Sequence, residues 1–168
     1  MMRLIRLSLL TSIAVILSAC GFSLRGSDIL SSKFDTLQLN AQPPNSEFSR
    51  LLRRSLEVAD VSVEAVLPEN LDSELPVLAI SNEQVVSRPV TVNPRARVAQ
   101  YELRLSINVV LARADELLIN PETLFVERIY FEDIENISGN QEEIELITAE
   151  MRRELVNQLM RRLEAVET

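Results

Sequence analysis

The sequence predicts an α+β fold, a two-layer sandwich with two helices packed on one face of a small, mainly antiparallel sheet of about four strands. Three observations predict it. Residues 99–111 alternate between an apolar phase and a mostly polar one, with Val110 the single apolar residue in the polar phase, the signature of a strand with one buried face. Two segments, one starting near Ser46 and one at about 141–165, carry apolar residues at helical spacing along a single stripe. Each of these elements is apolar on one side only, and a helical layer laid on a sheet layer covers them all with the fewest parts.

In chain order, residues 21–34 show no periodicity and read as a tether. Thr36-Leu37-Gln38-Leu39 alternates and predicts a short strand, stopped by Gln42-Pro43-Pro44-Asn45. Asn45 or Ser46 caps the first helix, with Glu47 in its first turn, where the helix dipole favours negative charge. Phe48, Leu51, Leu52, Ser55 and Leu56 form its stripe, and Arg50, Arg53 and Arg54 fall away from it onto a solvated face. Val61–Val66 predicts a short strand and Pro68–Pro76 a polar loop. The next strand has Leu78 and Ile80 in phase and continues to Val90. Pro89 argues for an edge or an irregularity there.

Asn93-Pro94 predicts a turn leading into the long alternating strand, which pairs with residues 77–90 as an antiparallel hairpin. Asn120-Pro121 predicts another turn. A strand follows over 123–133 with Phe125, Ile129 and Phe131 in one phase. Ser138-Gly139-Asn140 breaks the chain, and Asn140 with Glu143 reads as a capping pair for the last helix. Ile144, Ile147, Met151, Leu155, Leu159 and Leu163 line one side of that helix. Its acidic start and basic end (Arg161, Arg162) both complement the dipole. With its other face uncovered, the sheet is free to meet a partner.

A length of 168 residues suits one domain, and 46% apolar with 25% charged residues suits a folded one. Histidine is absent and Cys20 is the single cysteine. No Ser-His, Cys-His or His-metal arrangement can be built, and no internal disulfide. Carboxylate-pair chemistry is the main survivor among the common catalytic routes. The candidate acidic runs, Glu132-Asp133-Glu135 and Glu142-Glu143-Glu145, read as solvated or helix-start charges, so the chain is read as no enzyme.

The first residues carry an address. Arg3 and Arg6 precede an apolar run from Leu7 to Leu17, followed by Ser18, Ala19 and Cys20. This is a secretory signal, and the run is too short to span a bilayer as a helix. Leu17-Ser18-Ala19-Cys20 resembles the bacterial lipobox. That resemblance implies cleavage before Cys20, a diacylglycerol on its thiol and an acyl group on the new amino terminus. Asp follows the cysteine in inner-membrane retention signals of this type; Gly21 here implies the outer membrane. The expected organisation is a signal peptide at 1–19, a lipidated terminus and tether at 20–34, and one α+β domain at 35–168. Cleavage removes Arg3 and Arg6 from 17 basic residues and leaves 15 against 25 acidic, a balance of -10. That disfavours nucleic acid, which needs a cationic surface to displace counterions.

Cys20-Gly21-Phe22-Ser23-Leu24-Arg25-Gly26 resembles the mature start of the lipopolysaccharide-assembly lipoprotein LptE family. The resemblance extends over nearly the whole mature chain in element order. It includes Ala99-Gln100-Tyr101-Glu102, Met151-Arg152-Arg153 and Leu159-Met160-Arg161-Arg162-Leu163. It implies a plug inside the large outer-membrane β-barrel LptD that supports barrel assembly and binds lipopolysaccharide for insertion into the outer leaflet, with no cofactor beyond the acyl chains. It implies ligand contacts from basic residues at a hairpin tip, a region where this sequence has Arg88, Arg95 and Arg97. Pro94 stands where the family has an arginine, and Asn140 lies near the place of a family lysine. The alternative reading is an auxiliary lipoprotein that acts as a binding module of another envelope lipid transporter.

Overall fold

The computed structural model describes residues 27–66, 74–92, 98–131 and 137–167. They form α1 (Ser27–Ser31), β1 (Thr36–Ala41), α2 (Glu47–Val58), β2 (Ser62–Ala65), β3 (Val77–Val92), β4 (Val98–Arg113), β5 (Glu116–Phe131) and α3 (Ile137–Glu164). The strands make one sheet in the order β2-β1-β3-β4-β5. The α+β class holds, with five strands rather than about four. β1 lies parallel to both β2 and β3, whereas β3, β4 and β5 form an antiparallel meander.

β1, α2 and β2 form a crossover unit, since parallel neighbours need a connection long enough to return the chain. Ser46 is the N-cap of α2, and its Oγ accepts from the Ser49 amide at 3.0 Å. Phe48, Leu52 and Leu56 are buried along the helix, as the spacing predicts. On α3, Met151, Leu155, Leu159 and Leu163 are all fully buried. They meet the inward phase of β4, Leu103 to Leu111, on one continuous core.

Four readings change. The reversal between β4 and β5 lies at Ala114-Asp115, between the paired residues Arg113 and Glu116. Asn120-Pro121 instead sits inside β5, where the register slips between Val109–Glu122 and Leu111–Ile119. β5 is the sheet edge, so the amide hydrogen that proline lacks is missed by no neighbour. The last helix begins at Ile137 and runs through Gly139-Asn140. A glycine costs a helix interior only about 1 kcal/mol, a small charge on a helix of 28 residues. Finally, residues 27–34, expected to lie within a tether, are part of the folded domain. Ser27–Ser31 is helical, and Leu30 and Phe34 lie in the core at 0% and 1% exposure.

Lys33 fastens this segment to the other end of the chain. Its ammonium donates to the Glu164 carbonyl and, at 2.6 Å, to that of Val166. A cation on the unpaired carbonyls beyond a helix end is favoured twice, by hydrogen bonding and by the dipole.

One buried position is mismatched. Gln38 on β1 is 1% exposed, and neither amide atom has a hydrogen-bond partner among the described residues. A buried unsatisfied polar group costs about 1–3 kcal/mol. Gln38→Leu should therefore raise stability by about 1–2 kcal/mol, read as a higher thermal midpoint by circular dichroism. A lower midpoint would mean that the amide is satisfied and useful.

Candidate functional site

The hairpin of β3 and β4 sets the geometry. β1 pairs with β3 only as far as Ile80. Among the described residues, β3 from Ser81 onward has only β4 beside it, and these twelve residues rise about 40 Å at strand spacing. Asn82, at φ 59°, takes the extra residue of a bulge between Ser81 and Gln84. Asparagine tolerates that left-handed conformation better than most residues. A second irregularity falls between Pro89 and Thr91, where the sequence placed one. Beneath the distal part, Tyr101 and Tyr130 stack at 5.5 Å between ring centroids.

The helices cover one face of this sheet. The other carries the polar phase of β4 and is crossed by side-chain pairs. Arg88 Nε donates to Glu102 at 2.6 Å. Arg104 lies 3.5 Å from Glu127 and 3.9 Å over the Phe125 ring. Thr91 donates to Gln100 and Thr123 to Asn108, each at 2.9 Å. Each ion pair joins neighbouring strands, as cross-strand partners do. Phe125, Ile129 and Phe131 do share one phase of β5, and it is this outward one, with exposures of 43%, 57% and 65%. Leu124, Val126 and Tyr130 take the inward phase.

Of the basic residues expected at the site, Arg88 is described, and Arg95, Arg97 and Cys20 lie outside the described residues, as do the Asn93-Pro94 turn and the Pro68–Pro76 loop as far as residue 73. Arg88 remains 62% exposed at the side chain. Its hydrogen bond to Glu102, then the charges of Glu102 and Glu127, raise its guanidinium pKa above the ordinary value. The residue is a fixed cation whose charge is already shared with a carboxylate. An anion approaching Arg88 therefore competes with Glu102, a contact that the sequence reading missed, although Glu102 stands in the polar phase of β4. Asn140 falls in the first turn of α3.

Elsewhere the chemistry is sparse. The exposed Glu142, Glu143 and Glu145 lie on α3 and line no described cleft. No cluster of three or more potential metal ligands occurs among the described residues. None of the described helices is long and apolar enough to cross a membrane. The largest described cleft, about 980 Å³, lies at the opposite end of the sheet from the hairpin tip, between Lys33, Glu74, Arg113 and Asp115.

The family model for LptE, described as lipopolysaccharide-assembly, matches residues 34–163. This chain belongs to the LptE family. The LPS-assembly lipoprotein LptE of Photorhabdus laumondii is 28% identical over 158 residues, covering 94% of this chain and 84% of that one. The one from Pectobacterium atrosepticum is 25% identical over 157 residues, covering 93% and 83%. Among solved structures, the rare lipoprotein B from Shewanella oneidensis aligns with a TM-score of 0.67 at 22% identity, over 76% of this chain and 92% of that one. Lipoprotein B from Nitrosomonas europaea aligns at 0.64 and 23%, over 86% and 91%. Those two likenesses concern the fold.

Of the segments that carried the LptE resemblance, Cys20–Gly26 lies outside the described residues, and the others serve the scaffold. Tyr101 is in the tyrosine stack. Met151, Leu159 and Leu163 are core. Arg152 on α3 donates from Nε to Glu83 and from Nη1 to Glu47, each at 2.8 Å, joining α3 to both β3 and α2.

Proposed function

We propose that this LptE-family chain is an outer-membrane lipoprotein, held by acyl chains on Cys20, that plugs the lumen of an LptD-type β-barrel, supports its assembly and binds lipopolysaccharide through the basic end of its hairpin. Its action is non-enzymatic. The observation that carries this reading is the sheet of β3, β4 and β5, which runs about 40 Å past β1 with one face uncovered by helices and crossed by internally paired charges. Large barrel lumens are polar, and a plug with its charges already paired enters one without stranding an ion. Family membership and the printed names of the relatives support the lipopolysaccharide role. One acyl chain holds a protein only marginally, and several on one residue anchor it stably.

Phosphate recognition would rest mainly on Arg95 and Arg97, because Glu102 already occupies Arg88. A guanidinium meets a phosphate through paired, charge-assisted hydrogen bonds. Changing both residues to Asp should weaken lipopolysaccharide binding by about tenfold or more with an unchanged melting curve. Arg88→Ala should weaken it less. Unchanged binding in the double variant would remove both arginines from the site. The whole reading is tested by purifying the tagged chain from detergent-solubilised envelopes. A large β-barrel should accompany it, and its mass should show an acylated amino-terminal Cys20. A chain recovered alone, with a free thiol, would overturn it.

A further inference from the structure

Among the described residues, the antiparallel part of the sheet has two free edges, and they are built differently. The edge of β3 beyond Ile80 is guarded: it bears a bulge at Asn82, Pro89, and register slips on either side of Thr91. Such devices stop another chain from adding to a strand. The edge of β5 from Glu122 to Phe131 has none of them. Its pairing with β4 is in unbroken register from Val109–Glu122 to Gln100–Phe131, and it contains neither proline nor lysine. No described element pairs with its far side.

Charge can also guard an edge, but here the charges are all engaged within the chain. Glu122 pairs with Arg162 of α3, Arg128 with Glu154 of α3, and Glu127 with Arg104 of β4. What this strand presents outward is Phe125, Ile129 and Phe131 at alternate positions. An open row of main-chain donors and acceptors beside exposed apolar side chains spaced by two or four is what strand addition requires. The main chain supplies affinity, and the alternate side chains supply selectivity.

We infer that β5, from Glu122 to Phe131, receives an extended segment of the partner polypeptide as a sixth strand of this sheet. This deepens the plug reading and rests on it. A closed barrel wall has every strand already paired on both sides, so the added strand comes from a loop or terminal segment of the barrel protein. Its outward side chains are apolar where they flank Ile129 and Phe131, and it brings no unpaired charge opposite Glu127.

The test places a photocrosslinking amino acid singly at Thr123, Phe125, Glu127, Ile129 and Phe131 of the full chain in cells, purifies the barrel complex, and maps the linked residues by mass spectrometry. Strand addition requires that crosslinks from successive sites advance in one direction, by about two residues per step, along a single segment of the barrel protein. Ile129→Lys, at an exposed position, should then cost complex recovery without lowering the melting temperature. Crosslinks scattered over several strands of the wall would overturn the inference and leave the plug reading standing. Links to residues 122–131 of a second copy, or to residues 20–26 of the same chain, would overturn it too. A preparation with no barrel in it defeats both readings together.

Discussion

Phe34→Ala should destabilise the folded domain by about 3–5 kcal/mol. Phe34 is 1% exposed and follows the short α1, whose Leu30 is fully buried. Truncating a buried phenylalanine removes its transfer free energy and leaves a hole that close-packed neighbours fill only in part. The loss would lower the thermal midpoint by on the order of 10 °C or more for a domain of this size, and urea unfolding followed by far-ultraviolet circular dichroism would measure it. A loss below about 1 kcal/mol, the typical size for a surface position, would mean that the residues before β1 are a tether after all.

Arg152→Ala should cost about 2–3 kcal/mol, between the values for exposed and for buried pairs. The Arg152 side chain is 21% exposed and Glu83 is 13% exposed, whereas Glu47 is 48% exposed. The expected loss therefore comes from the Glu83 carboxylate left with little water and no cation, not from the pair with Glu47. A double-mutant cycle with Glu83→Gln isolates that coupling. Coupling near zero, with Arg152→Ala still costly, would shift the explanation to the packing of the arginine stem. By contrast Arg162 and Glu122, with 42% and 33% exposure, form an exposed pair that should contribute under about 1 kcal/mol.

The elements most legible in the sequence are those with a long, regular period. The alternation from Ala99 to Leu111 and the α3 stripe from Met151 to Leu163 needed nothing beyond spacing, because burial on one face leaves its mark at every second or every third and fourth residue. The turns were harder. Arg113-Ala114-Asp115-Glu116 contains Asp115 but no glycine, asparagine or proline among the usual turn residues, yet Ala114 sits at φ 49°, held there by the pairing of the strands on either side. Asn120-Pro121 has the composition of a turn and is a strand, because an edge position forgives a proline. Leu30 and Phe34 leave no such mark, because one buried residue on a five-residue helix and another three positions past its end make no period. At the site, Arg88 was found by its charge near a turn, whereas its tie to Glu102 depends on a register that only the paired strands reveal.

Lys33 has a mechanical consequence. A pull applied at the amino end of the described chain travels along α1 and arrives at Lys33 two residues after the helix ends. There the ammonium grips the carboxyl end of α3 through Glu164 and Val166. The load is thus divided between the first strand and the longest helix before either can peel away, and the core resists it as one body and not strand by strand.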